Sequence, residues 1–187
     1  TNWLSYTGDG DYDFELTYAR GTKTVYVWYM DAAGNVSDAY SDTITLLANA
    51  VRLEQNGTTT YYDSLEEAVD AADDNYPQVA SRITLLKNIT DEDSINISRT
   101  QNIVIDMNGY NITQTANSTV SAIRNYGGSL VLENTMAGTK ESSVTVITTE
   151  GDAICVENTG LFEVDSVSLK AEAPNGTARG IQNYWAS

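Results

Sequence analysis

Three stretches of the chain repeat one another. Ile103-x-Ile105-Asp106 is followed 27 residues later by Leu130-x-Leu132-Glu133, and 32 residues after that by Phe162-x-Val164-Asp165. The text between them keeps step: Ile112 precedes Ile123 much as Val144 precedes Ile154 and Val167 precedes Ile181, the last gap being lengthened by Ala173-Pro-Asn-Gly176. SAIRNYGG at 121–128 returns as RGIQNYWA at 179–186. A period of about thirty residues, built from several short strands with insertions confined to corners, is the signature of a solenoid. One such lap has too few inward apolar side chains to offset the entropy of ordering its own backbone, so the laps must stack.

The corners are where this reading is tested. In NIVIDMNGYNIT (102–113) the dipeptide Asn108-Gly109 separates two alternating runs, which is also the strongest short-range signal for a hairpin. Set against the repeat, it predicts a bend in a chain that winds on from Arg82 to the end; a meander of hairpins is the competing reading. Asn56-Gly57 lies between VRLEQ and TTTYY, outside the repeat, and predicts a true hairpin. Ser64-Leu-Glu-Glu67 follows as a capping box, with Ser64 and Glu67 each serving the other's free amide. Leu65, Ala68, Val69 and Ala72 form one apolar stripe, so a helix is expected over about 64–74, stopped by Asp73-Asp74-Asn75 and Pro77.

Residues 1–48 read differently. KTVYVWYM is a strand with Val25, Val27 and Tyr29 on one face and Tyr26, Trp28 and Met30 on the other, as a central strand requires. Asp31-Ala-Ala-Gly34-Asn35 supplies turn chemistry, Thr43–Leu47 the returning strand, and Tyr12–Thr17 a further alternating run. The stretch VYVWYMDAAGNVSDAYSDTITL resembles the last strands of bacterial immunoglobulin-like or fibronectin-like repeats. That resemblance implies the C-terminal strands of a partial Ig-like β-sandwich. From about residue 50 onward, SLEEAVDAA, RITLLKNIT, INIS, NIVIDMNGYNIT and SAIRNYGGSLVLEN resemble the start of the right-handed parallel β-helix of pectate-lyase-like bacterial surface and adhesin proteins. It implies a mainly β chain, a truncated right-handed parallel β-helix over 49–187, and an N-terminal capping α-helix that closes the open end of the coil. The pattern breaks off at Ser187 in mid-lap, and the chain reads as a piece of a longer protein.

Composition narrows the partners. Ten basic against 26 acidic residues give a net charge of −16. Such a surface repels phosphate backbones and anionic lipid and attracts cations, which disfavours nucleic acid and membrane surfaces as partners. No run approaches the ~20 apolar residues of a membrane helix. Without histidine the commonest general base and zinc ligand are missing, and the single Cys155 reads as a buried, unreactive strand residue.

Candidate sites are few. The superposition puts Asp106, Glu133 and Asp165 at one outward position on successive laps about 4.8 Å apart, a column whose repulsion a Ca²⁺ ion would relieve. Its alternative is three carboxylates splayed into solvent. Asp9-x-Asp11-x-Asp13 has calcium-loop spacing but lacks the Gly and distal Glu, and reads as a solvated turn. Asn125 and Asn183, with Asn158 shifted by one, suggest an internal amide ladder. Tyr26 and Trp28 are either core residues or a ligand-binding platform for sugars or a protein partner. Carbohydrate chemistry on a β-helix would need paired carboxylates or calcium with a nearby cation; Arg124 and Arg179 are the obvious cations, and no catalytic motif of the lyases is matched. The expectation is a non-catalytic structural or adhesion module of a secreted or cell-surface bacterial protein, facing host or environmental glycans or proteins. The alternative is part of a polysaccharide lyase or glycoside hydrolase.

Overall fold

The computed structural model describes residues 3–4, 21–46, 49–74 and 79–184. The chain separates into two compact units, Thr1–Ala48 and Asn49–Ser187. The expected strand at Tyr12–Thr17, the Asp9/Asp11/Asp13 spacing, Pro77 and the last three residues lie outside the described part.

In the first unit, β1 (Gly21–Val27) pairs antiparallel with β2 (Tyr40–Leu46). The returning strand begins three residues earlier than the alternation suggested. Between the strands, both oxygens of Asp31 are used: Oδ1 accepts the amides of Ala33 and Asn35, and Oδ2 accepts the Asn35 side chain at 2.8 Å. Those bonds, led by the Asn35 side chain, hold the Asp31 carboxyl below the usual range.

The second unit opens with the hairpin β3 (Val51–Gln55) and β4 (Thr58–Tyr62), joined antiparallel across Asn56-Gly57. Helix α1 (Leu65–Asp70) follows, shorter than the expected 64–74, with Leu65, Ala68, Val69 and Ala72 all buried. Ser64 Oγ accepts the Glu67 amide at 3.0 Å, half of the capping box. Two further free amides of the first turn, those of Leu65 and Glu66, donate to Glu92, 2.9 and 3.4 Å away. At the other end, Gln101 Nε2 donates to the Ala72 carbonyl and to the Val69 carbonyl, which also accepts the Ala72 amide.

Twelve short strands then run in threes. The first tier is β5 (Ser81–Leu85), β6 (Ile89–Thr90) and β7 (Ile95–Ile97). The second is β8 (Asn102–Asp106), β9 (Ile112–Ala116) and β10 (Val120–Asn125). The third is β11 (Ser129–Glu133), β12 (Ser143–Thr148) and β13 (Ala153–Asn158). The fourth is β14 (Leu161–Asp165), β15 (Ser168–Glu172) and β16 (Ala178–Asn183). Each tier gives one strand to each of three sheets, in the constant orders β5-β8-β11-β14, β6-β9-β12-β15 and β7-β10-β13-β16. Every pairing between tiers is parallel, and β3 extends the first sheet antiparallel to β5.

Alternation within each strand sends one residue set inward. Ile83, Ile105, Leu132 and Val164 share a register, as do Ile89, Ile112, Val144 and Leu169, and Ile95, Ile123, Val156 and Ile181. In the first three tiers these side chains are buried, each contributing about 1.5–3 kcal/mol. Two of the expected partners are displaced: Val156, not Ile154, matches Ile123, and Leu169, not Val167, matches Val144. Both displacements are by two residues, the one error that a period-two pattern leaves invisible.

Asn108-Gly109 lies at a bend between β8 and β9, strands of different sheets, and the chain does not fold back on itself there. The meander of hairpins is therefore not the arrangement of residues 81–183.

Candidate functional site

The carboxylates proposed as a column do share one position: Asp106 pairs with Glu133, and Glu133 with Asp165. The tier below offers Thr84. Their surroundings differ sharply. Asp106 is buried, and its oxygens are filled by protein donors. Oδ1 accepts the amides of Asn108 at 2.9 Å and Thr135 at 3.2 Å, and Oδ2 the Thr135 hydroxyl at 2.8 Å. Arg82 Nη1 lies 2.6 Å from Glu133 Oε1 and 3.4 Å from Asp106 Oδ2. The charge relief assigned to a calcium ion is thus supplied, for these two acids, by a guanidinium on β5. Asp165 stands exposed, accepting the hydroxyl of Ser166. Among the described residues no group of three or more acidic or thiol side chains has the geometry to hold a metal ion.

Arg82 went unseen in the sequence because it sits two positions before Thr84, on the neighbouring outward column; only the register puts its long side chain beside the acids of the next tiers. The two cations that sequence did single out serve the third sheet. Arg124 Nε is 3.3 Å from Glu157, and Arg179 Nη1 is 2.7 Å from Asp152, whose carboxyl this bond holds below the usual range. Arg82, Arg124 and Arg179 therefore each pair with a carboxylate on another tier.

The amide ladder is present and better aligned than the sequence suggested. Asn125, Asn158 and Asn183 occupy one register, with no shift at Asn158. Asn125 Nδ2 donates to Asn158 Oδ1 at 2.8 Å, and Asn158 Nδ2 to Asn183 Oδ1 at 3.0 Å. Position 97, the register partner of Asn125 in the first tier, is isoleucine, so Asn125 Oδ1 is left without a donor. Cys155 is buried, donates to the Lys170 carbonyl at 3.1 Å, and has its thiol pushed up to about 11 by burial. A thiol so protonated is a poor nucleophile.

In the first unit, the two faces of β1–β2 are unlike. Thr22 pairs with Thr45, Thr24 with Thr43 and Tyr26 with Ser41, a hydroxyl-rich face. Val25 pairs with Asp42 and Val27 with Tyr40 on the opposite face. Beyond Val27 the register changes. Ser37 bonds Tyr29, and Met30 bridges Val36, so both Asp38 and Ala39 lie across from Trp28. Such an extra residue is a β-bulge, which re-aims side chains at sheet edges. The rings of Tyr26 and Trp28 stack 6.0 Å apart at an interplanar angle of 25°, each about half exposed (56% and 47%). Two half-exposed aromatic rings thus lie against each other on the face that carries Thr24, Thr43 and Ser41.

No helix of the described residues is long and apolar enough to cross a membrane. No protein-family model, curated protein or solved structure matches the chain.

Proposed function

We propose that this chain is a non-catalytic structural and adhesion module of a secreted or cell-surface bacterial protein. Residues 49–187 are read as a right-handed parallel β-helix whose first tier is capped by α1, and residues 1–48 as strands of an Ig-like sandwich. The observation that carries the reading is the common register of four tiers in three parallel sheets, in which Arg82, Arg124 and Arg179 tie tiers together. A stack of this kind is a rigid spacer, since each tier is hydrogen-bonded along its length to its neighbours. Binding falls to the stacked Tyr26 and Trp28, whose apolar faces suit the C–H face of a neutral sugar while adjacent hydroxyls suit its O–H groups. A net charge of −16 disfavours anionic glycans and nucleic acid, and no metal or other cofactor is invoked.

The test is incubation of the chain with neutral and acidic polysaccharides, scoring both retention and new chain ends. Retention on a neutral polysaccharide, lost in Trp28→Ala and without chain cleavage, is the expected result. Cleavage that disappears in Asp106→Asn or Glu133→Gln would overturn it in favour of a lyase or hydrolase.

A further inference from the structure

The chain has three Asn-Gly dipeptides, at 56–57, 108–109 and 175–176. Asn-Gly is the sequence most open to spontaneous ring closure, because glycine presents no side chain against attack by its own amide nitrogen. Whether the reaction proceeds in a folded chain depends on how firmly that nitrogen and the asparagine amide are held.

At two of the three sites they are held. Gly109 N donates to Asn134 Oδ1 at 3.0 Å, Asn108 Nδ2 donates to the Leu85 carbonyl at 3.0 Å, and the Lys140 side chain packs directly over Gly109. Gly176 N donates to the Ala173 carbonyl, Asn175 Nδ2 to the Thr149 carbonyl and Glu150, and Gly176 is pressed against the Gly151 backbone. Asn56-Gly57 is different. It forms the exposed tip of a hairpin whose outer strand, β4, is the edge of its sheet. Nothing lies within 4 Å of the space beside Gly57, and its amide has no acceptor among the described residues. Only the side chain is engaged, Asn56 Nδ2 donating to Asp73 Oδ2.

We propose that Asn56 is a deamidation site, selected by the fold from three equivalent dipeptides. In the reaction the Gly57 amide nitrogen loses its proton to solvent and bonds to Asn56 Cγ. The Asn56 side-chain nitrogen leaves as ammonia and a succinimide ring remains. Water then adds to either ring carbonyl, giving aspartate or isoaspartate at position 56. One water is consumed, one ammonia released, and one negative charge gained.

The site is coupled to α1. Beside Asn56, Gln55 Nε2 donates to the Ala71 carbonyl, and Gln55 Oε1 accepts the Asp73 amide and the Ser81 hydroxyl. The hairpin tip therefore clasps the segment that leaves the helix. Deamidation replaces the donor facing Asp73 by a second carboxylate, converting an attraction into a repulsion. Isoaspartate also lengthens the backbone of a two-residue loop that has no slack.

The experiment is peptide mapping by mass spectrometry after incubation of the intact chain at mildly alkaline pH, with fragmentation that separates aspartate from isoaspartate. The expected result is conversion at Asn56 at least about tenfold faster than at Asn108 or Asn175, with the three rates converging in denaturant as local protection is lost. Equal rates in the folded chain, or a ratio that denaturant leaves unchanged, would overturn the proposal. Asn56→Asp mimics the aspartate product and its added charge: it should lower Tm by a few degrees, on the order of 3 °C, and Asp73→Asn should restore it. An unchanged Tm would overturn the coupling to α1.

Discussion

The chain uses the same turn twice and obtains two different results. Asn56 and Gly57 have φ of +50° and +73°; Asn108 and Gly109 have φ of +47° and +77°. Both pairs occupy the left-handed region that a tight two-residue turn demands, and the second turn is closed by the Tyr110 amide donating to the Met107 carbonyl at 2.8 Å. Yet the first returns the chain antiparallel to itself, with Gln55 opposite Thr58, whereas the second passes it from one sheet to another. Local conformation is therefore not what separates a hairpin from a corner. The difference lies in what receives the chain after the turn. Beyond Gly57, TTTYY finds β3. Beyond Gly109, the Asn111 amide is taken by Asn88 of the tier below, and Asn111 Oδ1 by Ser143 of the tier above. The hairpin is closed by its own residues; the corner is closed by its neighbours.

That contrast can be broken most directly at the glycines. Gly109→Ala places a Cβ 2.6–2.8 Å from Lys140 side-chain atoms at a positive φ, while Gly57→Ala meets only the positive φ. Unfolding in denaturant should show the first costing about 3 kcal/mol and the second about 1. Equal costs would mean that the neighbours contribute nothing to the corner. Next in size is Asn134→Ala, which leaves the Gly109 amide, the Met136 amide and the Lys140 carbonyl without their partner. A loss of about 2 kcal/mol is expected, with amide exchange accelerated at Gly109 and unchanged in the 51–62 hairpin.

Arg82→Met sharpens the comparison through Asp106, whose Oδ1 holds the Asn108 amide at the corner. Since Arg82 is partly exposed, about 1 kcal/mol is expected. In the natural chain a calcium chelator should leave Tm within about 1 °C, because Arg82 already bridges the two acids. The smallest effect belongs to Glu92, half-buried against the amides of Leu65 and Glu66. Burial raises its carboxyl above the usual range, opposed by those two amides and by Lys87 and reinforced by Glu66. Its contribution to stability is therefore complete below the ordinary carboxylate range and is lost as pH rises through the elevated value. Glu92→Gln keeps an acceptor without the charge, so it should flatten that part of the pH profile and raise Tm near neutrality by about 1 °C.

These contrasts mark what could be read from the residues. The laps were legible because Ile103-x-Ile105-Asp106 and its two copies repeat both in apolar content and in the acid that ends them. The bend at Asn108-Gly109 was legible only because the repeat continued past it. Placement within a lap was not, as Ile154 and Val167 illustrate: strands of alternating Ile, Val and Leu look alike after a slip of two. The candidate acids were correctly aligned, but their partner was hidden, since nothing in RITLL marks Arg82 as the counterion for residues 24 and 51 places away. Glu92 at the start of α1 is a similar case, since the acceptor of a helix amide arrives 26 and 27 residues later.

The fourth tier carries one last implication. Two of its three apolar column members, Val164 and Ile181, are 38% and 41% exposed beside a depression of about 560 Å³ that also includes Phe162 and Tyr184, while the third, Leu169, packs against the core. Cooperation in such a stack runs along a single line, each layer depending on the one before it and the one after it. Loosening any one layer should accordingly be felt first in the layers directly against it, and amide exchange should register the change there before it does elsewhere.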